Sequence, residues 1–228
     1  MEKKFELTDK FVFNTFGIKL FQIKCTKSFK YAKEGDLGGY VEKDENLDQE
    51  SNAWVYGDAW VYGNARVSGD ARVYGDARVS GDARVYGDAW VSGDAWVSGD
   101  ARVYGDAWVS GDARVYGYAW VYGNARVYGD ARVYGNARVS GDARVYGDAD
   151  IENDNNHCGF DCFGSCNRHT HAYLTKDNKV EITCGCFRGS IEEFEKKVEK
   201  THSGTIYEKQ YKAIINVIKI KFGLTDLI

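Results

Sequence analysis

The 228-residue chain carries a formal net charge of −4 and contains no proline. This charge does not fit a strongly basic nucleic-acid-binding protein, and the sequence has no run of about 18 apolar residues that would predict a membrane span. The N-terminal stretch "MEKKFELTDKFVF" lacks the apolar segment of a secretory signal peptide. We therefore expect a cytoplasmic protein whose six cysteines are thiols or metal ligands rather than disulfides.

Residues 1–46 are predicted to form short β-strands, of which "GIKLFQIKCTKSF" is the clearest. The turn-rich stretch "KEGDLGGYVEKDENL" follows. Val41 and Leu47 are six residues apart, which predicts a degenerate first coil of the repeat described next. Terminal units of repeat proteins need a covering segment, so residues 1–46 are expected to be an N-terminal β cap.

Sixteen hexads follow one another without interruption from Ala53 to Asp148, each with alanine first and valine third. Two small apolar residues spaced by two indicate a strand with one buried face. The Gly-Asp or Gly-Asn pair at the end of the hexad predicts a turn. Strands this short cannot form stacked hairpins, so the pattern predicts a triangular coil with three hexads per turn.

The repeat resembles the hexapeptide-repeat left-handed parallel β-helix, in which a small residue follows an aliphatic one by four positions, as Ala59 follows Val55. The resemblance covers residues 53–154, because a seventeenth hexad, "ADIEND", stays in phase. It implies a mainly β protein with a stiff rod over residues 47–154. The interior is expected to hold alanine and valine, and the backbone hydrogen bonds are expected to run from coil to coil.

Side chains eighteen residues apart are expected to stack into ladders on the three faces of such a rod. All six tryptophans lie in these ladders. We call the face that begins at Trp54 the first face, the one that begins at Trp60 the second face and the one that begins at Arg66 the third face. The first-face ladder is predicted to contain Trp54, Arg72, Trp90, Trp108, Arg126 and Arg144.

These ladders have two interpretations. They stiffen and solubilise the rod, with the corner aspartates balancing the arginines, or they form an interface, because Trp, Tyr and Arg dominate binding hot spots. Six exposed tryptophans would make a large apolar patch, which supports an interface with a protein partner or with another copy of the chain. The predicted interface residues are Trp54, Arg72, Trp90, Trp108 and Arg126 on the first face and the column Tyr86, Tyr104 and Tyr122 on the third face.

Residues 155–228 are predicted to form a separate C-terminal module, with a hairpin around Asp177-Asn178 and two helices. Ser190 and Glu193 have the spacing of a capping box, which places the start of a helix at Ile191. A second helix is expected from about Tyr207 to Phe222, with one apolar face.

The hairpin raises the possibility of a zinc site. A two-residue turn at Asp177-Asn178 places His171 opposite Cys184 and His169 opposite Cys186, all on one sheet face, which suits tetrahedral zinc. The alternatives are an ordinary hairpin with buried thiols and nucleophilic Cys/His chemistry, for which no orienting third group is evident.

Many hexapeptide-repeat proteins are acyltransferases with a catalytic histidine on a coil or on a loop between coils. Here all four histidines follow the repeats, so no enzyme is expected. The segments "LFQIKCTKSFKYAKEGDLGGYVEKDENL" and "TCGCFRGSIEEFEKKVEKTH" resemble bacteriophage and prophage repeat proteins that are labelled polymer-forming and cytoskeletal-like. The role of those proteins is mostly unassigned, so the resemblance implies a phage origin only. Together with the missing active site and the aromatic ladder, it leads us to expect a phage-encoded, non-enzymatic binding protein that inhibits a host macromolecule of anti-phage defence. The alternatives are a self-assembling structural protein and a sponge for a nucleotide signal.

Overall fold

A computed structural model describes residues 3–224 of the chain. The protein is mainly β: a parallel β-solenoid of about six turns lies between an N-terminal β meander and a C-terminal module of one antiparallel sheet and two helices. Within the described residues, neither helix is long and apolar enough to cross a membrane.

The N-terminal meander consists of β1 (Phe5–Phe13), β2 (Lys19–Cys25) and β3 (Leu37–Val41), paired antiparallel in chain order. β3 then pairs in parallel with the solenoid, Val41 against Val61. A short 3-10 helix at Asp44–Asn46 follows, and Leu47 pairs in parallel with Val67. The degenerate first coil predicted from Val41 and Leu47 is therefore confirmed.

Seventeen two-residue strands form the solenoid. The first face contains β4 (Trp54–Val55), β7 (Arg72–Val73), β10 (Trp90–Val91), β13 (Trp108–Val109), β16 (Arg126–Val127) and β19 (Arg144–Val145). The second face contains β5 (Trp60–Val61), β8 (Arg78–Val79), β11 (Trp96–Val97), β14 (Arg114–Val115), β17 (Arg132–Val133) and β20 (Asp150–Ile151). The third face contains β6 (Arg66–Val67), β9 (Arg84–Val85), β12 (Arg102–Val103), β15 (Trp120–Val121) and β18 (Arg138–Val139).

Each coil is bonded to the next through the backbone with a constant register of eighteen residues, as the three-hexad period predicts. The amide of Arg102 donates to the carbonyl oxygen of Ala119 (2.9 Å), and that of Tyr104 donates to Val121 (3.0 Å). Alanine and valine of every hexad fill the interior and are almost completely inaccessible to solvent. Because side chains alternate along each strand, the second and fourth hexad positions face outward.

Glycine at the fifth hexad position is required for two reasons. In the sixteen hexads its φ lies between 53° and 73°, a left-handed conformation that residues with a side chain rarely adopt. The glycines also stack on one another at the corners: a Cβ atom on Gly87 would lie 2.9 Å from the backbone nitrogen of Gly105. This close approach explains why no other residue occupies the position.

The N-terminal segment covers the open end of the solenoid. The amides of each coil point toward the C-terminal end, so the first coil is left with carbonyl oxygens that no preceding coil can bind. The ammonium of Lys4 donates to the carbonyl oxygens of Asp48 (2.5 Å), Ser51 (2.8 Å) and Ala53 (2.9 Å). Phe5 packs beside these groups and is fully buried, which completes the cap.

The C-terminal module consists of an antiparallel sheet and two helices that pack on one of its faces. Ser190 caps the first helix: its Oγ accepts from the amide of Glu193 (3.3 Å), and the Glu193 carboxylate accepts from the Ser190 amide (2.8 Å), which confirms the capping box. The elements are β21 (His157–Phe163), β22 (Arg168–Leu174), β23 (Val180–Cys184), β24 (Phe187–Ser190), α1 (Ile191–His202) and α2 (Ile206–Lys221).

This module covers the other end of the solenoid. Tyr173 of β22 is fully buried in the solenoid core, and its hydroxyl accepts from the amide of Tyr146 (3.3 Å) while donating to Glu181 (2.5 Å). The amide of Lys176 donates to the carbonyl oxygen of Asp148 (2.8 Å). A hydroxyl oxygen therefore binds a backbone donor at this end, as the Lys4 ammonium binds backbone acceptors at the first end.

Because the valine of each hexad points into the solenoid interior, we predict that Val103→Asp unfolds the solenoid. Val103 is completely buried, and an unpaired charge there costs several kcal/mol, on the order of the stability of a domain. Circular dichroism and thermal unfolding measure the effect. Tyr118→Asp is the matched control, because Tyr118 is 64% exposed at the hexad position that aspartate occupies elsewhere. Equal melting temperatures for the two variants would contradict the register.

Candidate functional site

The first face carries a continuous ladder of planar side chains. Trp90 pairs with Trp108, and arginines lie beyond both, Arg72 on one side and Arg126 on the other. The guanidinium carbon of Arg72 lies 3.9 Å from the Trp90 ring centroid, and that of Arg126 lies 5.7 Å from the Trp108 ring. The two indoles meet edge to face at 5.3 Å. Cation–π and aromatic contacts thus fix the orientation of the ladder.

The prediction of six exposed tryptophans is wrong. Trp54 is 1% exposed, because Phe5 and Phe29 of the N-terminal segment pack edge-on against its ring. It therefore does not belong to a contact surface. The other five tryptophans are partly buried, since neighbouring arginine and tyrosine side chains lie against their rings. What the first face presents is a mixture of indole edges and guanidinium groups.

The corner aspartates offset the charge of the ladder arginines in number but do not pair with them directly in the described residues. Within residues 3–224, no ladder arginine forms a salt bridge. Several corner carboxylates have other partners: Asp142 Oδ1 accepts from Asn124 Nδ2 (2.9 Å), and Asp70 and Asp148 pair with Lys30 and Lys176. Arginines lie on the strands, where several of them lie over neighbouring aromatic rings, whereas aspartates lie at the corners. Among the described residues, the ladder guanidinium groups consequently have no carboxylate partner within 4.0 Å.

The tyrosine column predicted on the third face is present but is separate from the first face. Tyr86 stacks on Tyr104 with a centroid distance of 4.9 Å, and Tyr104 stacks on Tyr122 at 5.0 Å, with nearly parallel rings in both pairs. The pKa of Tyr104 is raised, mainly by burial in this stack and to a smaller extent by the hydroxyls of Tyr86 and Tyr122. The predicted interface residues therefore divide into two surfaces.

A cleft of about 700 Å³ lies where the first face meets the C-terminal module, and we call it the junction cleft. One wall comes from the last coils and the other from the turns of the antiparallel sheet. Arg144 Nη1 donates to the carbonyl oxygen of Gly185 (2.9 Å), which ties the walls together. The cleft is lined by Asp106, Trp108, Asn124, Arg126, Asp142, Arg144, Asn167, Arg168, His169, Gly185 and Cys186.

Sequence reasoning missed the contribution of the module to this cleft. Asn167 and Arg168 lie in and beside the turn between β21 and β22, and no motif marks them. Their role depends on how the module docks on the last coil, and this docking has no signature in a single sequence.

The predicted hairpin register is wrong by one residue. Thr170 pairs with Cys184 and His171 with Thr183, whereas the expected pair was His171 with Cys184. The cause is the turn: Thr175 pairs with Lys179 through the backbone, which leaves a three-residue loop with Asn178 in the left-handed region at φ 56°. A type I turn followed by a left-handed residue is a common hairpin loop, and it competes with the two-residue turn that we assumed.

Because of this register, His169, His171, Cys184 and Cys186 do not converge. His171 faces the solenoid, where its Nδ1 lies 3.3 Å from the carbonyl oxygen of Arg144, and Cys184 faces the helices, where Tyr211 contacts its sulfur at 3.8 Å. The predicted four-residue zinc site is therefore not formed. Within residues 3–224, no group of three or more His, Cys, Asp or Glu side chains is placed to hold a metal ion.

The register instead gathers three histidines on the sheet face that meets the solenoid. His157 Nδ1 lies 3.0 Å from His171 Nε2, and His169 Nδ1 lies 2.5 Å from a carboxylate oxygen of Asp161. Gly159 makes room for the His169 ring, since a Cβ there would lie 2.6 Å from its Cε1. The pKa of His171 is lowered to about 3, mainly because its ring is buried and to a smaller extent because His157 lies nearby. Burial also lowers the pKa of His157. Both rings are neutral at neutral pH.

Comparison with known protein families gives a match within the solenoid. Ten overlapping segments spanning residues 59–151 match the model of the YdcK β-solenoid repeat. No curated protein matches the chain. The coil-to-coil register and this match together define the chain as a β-solenoid repeat protein. The matched repeats include Trp90, Trp108 and Arg126 of the first face.

The buried histidine pair predicts acid sensitivity of the C-terminal module. The folded-state pKa of His171 lies below its ordinary value of 6.5, so its contribution to stability is complete above pH 6.5 and is lost as the pH falls toward about 3. We expect the free energy of unfolding to fall by up to about 1.4 kcal/mol per pH unit for each such histidine. Denaturant unfolding between pH 7 and pH 4 measures this slope.

His171→Gln is expected to reduce that slope, whatever its effect on stability at pH 7. His202→Gln is the control, because His202 lies at the end of α1, away from the solenoid. An unchanged slope in His171→Gln would show that the acid sensitivity arises elsewhere.

Proposed function

We propose that the protein is a non-enzymatic binding protein that docks on another protein through its first face. The observation that supports this best is the ladder of Arg72, Trp90, Trp108 and Arg126, a row of planar groups in mutual contact on a regular backbone. Arginine and tryptophan are the residues that most often dominate protein interfaces. Because the scaffold fixes them in advance, little conformational entropy is lost on binding.

The shape of the first face favours a flat partner surface. Ser92 and Ser110 lie beside the two tryptophans at hexad positions that carry tyrosine elsewhere on this face. Ser92 is buried against the ladder and adds no protruding side chain. The centre of the face therefore presents indole rings without protruding tyrosine side chains beside them, and a guanidinium group lies at either end.

The covered ends argue against end-to-end polymerisation. At one end the carbonyl oxygens are bound by Lys4, and at the other the Tyr146 amide is bound by Tyr173. A second copy could not continue the backbone ladder without displacing these segments. A discrete complex, including a side-by-side homo-oligomer, suits this arrangement better than a filament.

More specifically, we propose that this protein is phage-encoded and inhibits a host defence protein in the bacterial cytoplasm. Its support is the resemblance of the N- and C-terminal segments to phage repeat proteins. An inhibitor needs a rigid complementary surface and no catalytic group.

Replacing Trp90 and Trp108, the two partly exposed tryptophans of the first face, is expected to weaken this binding. Arginine is the suitable substitute, because it occupies the same position in ten hexads. Partners captured from bacterial lysate by the wild type are identified by mass spectrometry, purified, and titrated against Trp90→Arg/Trp108→Arg. We expect affinity for a true partner to fall by about thirtyfold or more, as for a hot-spot pair.

The matched control is Trp96→Arg/Trp120→Arg, which makes the same exchange on the second and third faces. It is expected to bind like the wild type, and circular dichroism checks that both variants fold. If both double variants lose affinity equally, or neither does, the first face is not the docking surface. Sedimentation velocity on the same proteins shows whether the bound partner is a second copy.

A further inference from the structure

We infer that the junction cleft is a binding site for a small phosphate ester that carries hydroxyl groups, such as a sugar phosphate or a nucleotide. This inference rests on the proposed function, since Trp108 and Arg126 belong both to the first face and to the cleft. It adds a ligand of defined chemistry at the C-terminal end of that face.

Three arginines supply the anion-binding part. Arg126 and Arg144 come from adjacent coils, and Arg168 comes from the opposite wall. Within the part of the chain that the structure describes, none of the three has a carboxylate oxygen within 4.0 Å. Guanidinium groups bind phosphate through paired, charge-assisted hydrogen bonds, so arginines without carboxylate partners on two walls suit a phosphate group between them.

The remaining polar groups of the cleft suit hydroxyl groups. Asp106 and Asp142 provide carboxylate acceptors, and Asn124 and Asn167 provide amides. The two carboxylates also oppose a second phosphate, because like charges at short range repel. The cleft therefore favours one phosphate on a neutral, hydroxylated body and disfavours a polyanion such as nucleic acid.

The walls of the cleft are fixed before a ligand arrives. The hydrogen bond from Arg144 to the Gly185 carbonyl oxygen joins the last first-face strand to the turn between β23 and β24. Asn124 and Asp142 are bonded to each other across adjacent coils. At about 700 Å³ the space is within the range of small-molecule sites, roughly 300–1,000 Å³.

Isothermal titration calorimetry of the full chain tests the inference with four probes: inorganic phosphate, ribose, ribose 5-phosphate and AMP. We expect ribose 5-phosphate and AMP to bind, and ribose and inorganic phosphate to bind at least about tenfold more weakly, because each lacks one half of the recognised chemistry. Tighter binding of AMP than of ribose 5-phosphate identifies a nucleotide as the ligand, and equal binding identifies a sugar phosphate.

Arg126→Gln and Arg168→Gln are each expected to weaken ribose 5-phosphate binding by about tenfold to a hundredfold, the effect of losing a hydrogen bond to a charged group. Arg114→Gln is the control: this exposed second-face arginine lies outside the cleft, and its variant should bind like the wild type. Failure of both phosphate esters to bind at millimolar concentration overturns the inference, as does equal weakening by Arg114→Gln. If the first-face tryptophan variant still loses its protein partner in that case, the proposed function stands without the ligand.

Discussion

The structure depends on the direction of the backbone hydrogen bonds that join one coil to the next. Every rung donates its amides toward the C-terminal end and accepts with its carbonyl oxygens from the preceding coil. In such a stack the backbone amides and carbonyl oxygens of the middle coils are hydrogen-bonded on both sides. The two end coils have backbone groups that lack a partner coil, carbonyl acceptors at one end and amide donors at the other. The termini supply matching groups: the Lys4 ammonium binds the acceptors, and the Tyr173 hydroxyl oxygen binds a donor. The two flanking segments are therefore necessary parts of the solenoid.

The same stacking determines what the surface displays. A side chain at the second hexad position lies directly above its counterpart eighteen residues away, so planar groups contact one another along the rod. This contact partly buries the tryptophan rings and leaves guanidinium groups without carboxylate partners. The first face is consequently a mixed cationic and aromatic surface. At its C-terminal end the docked module adds Arg168 and forms one wall of the junction cleft.

The repeat could be predicted because its geometry follows from the sequence period. Alternation of Ala and Val fixes the buried face, and glycine with positive φ fixes the corners, so the pairing of Val103 with Val121 follows from the hexad length. The hairpin register could not be predicted in this way. Its two possible loops differ by one residue, and the left-handed conformation of Asn178 selects the longer one, which separates His171 from Cys184. The burial of Trp54 and the cleft arise from docking of the terminal segments, for which the sequence has no periodic signal.

Amide hydrogen exchange tests most directly whether the terminal segments complete the solenoid. Three equivalent amides are compared, those of Tyr56 in the first full coil, Tyr104 in the middle and Tyr134 in the last coil, which donate to Val73, Val121 and Ile151. If both ends are covered, the three amides are protected by a common opening reaction and exchange at rates within about tenfold of one another. Exchange of Tyr56 or Tyr134 several orders of magnitude faster than that of Tyr104 would show that the ends fray and would contradict the capped solenoid.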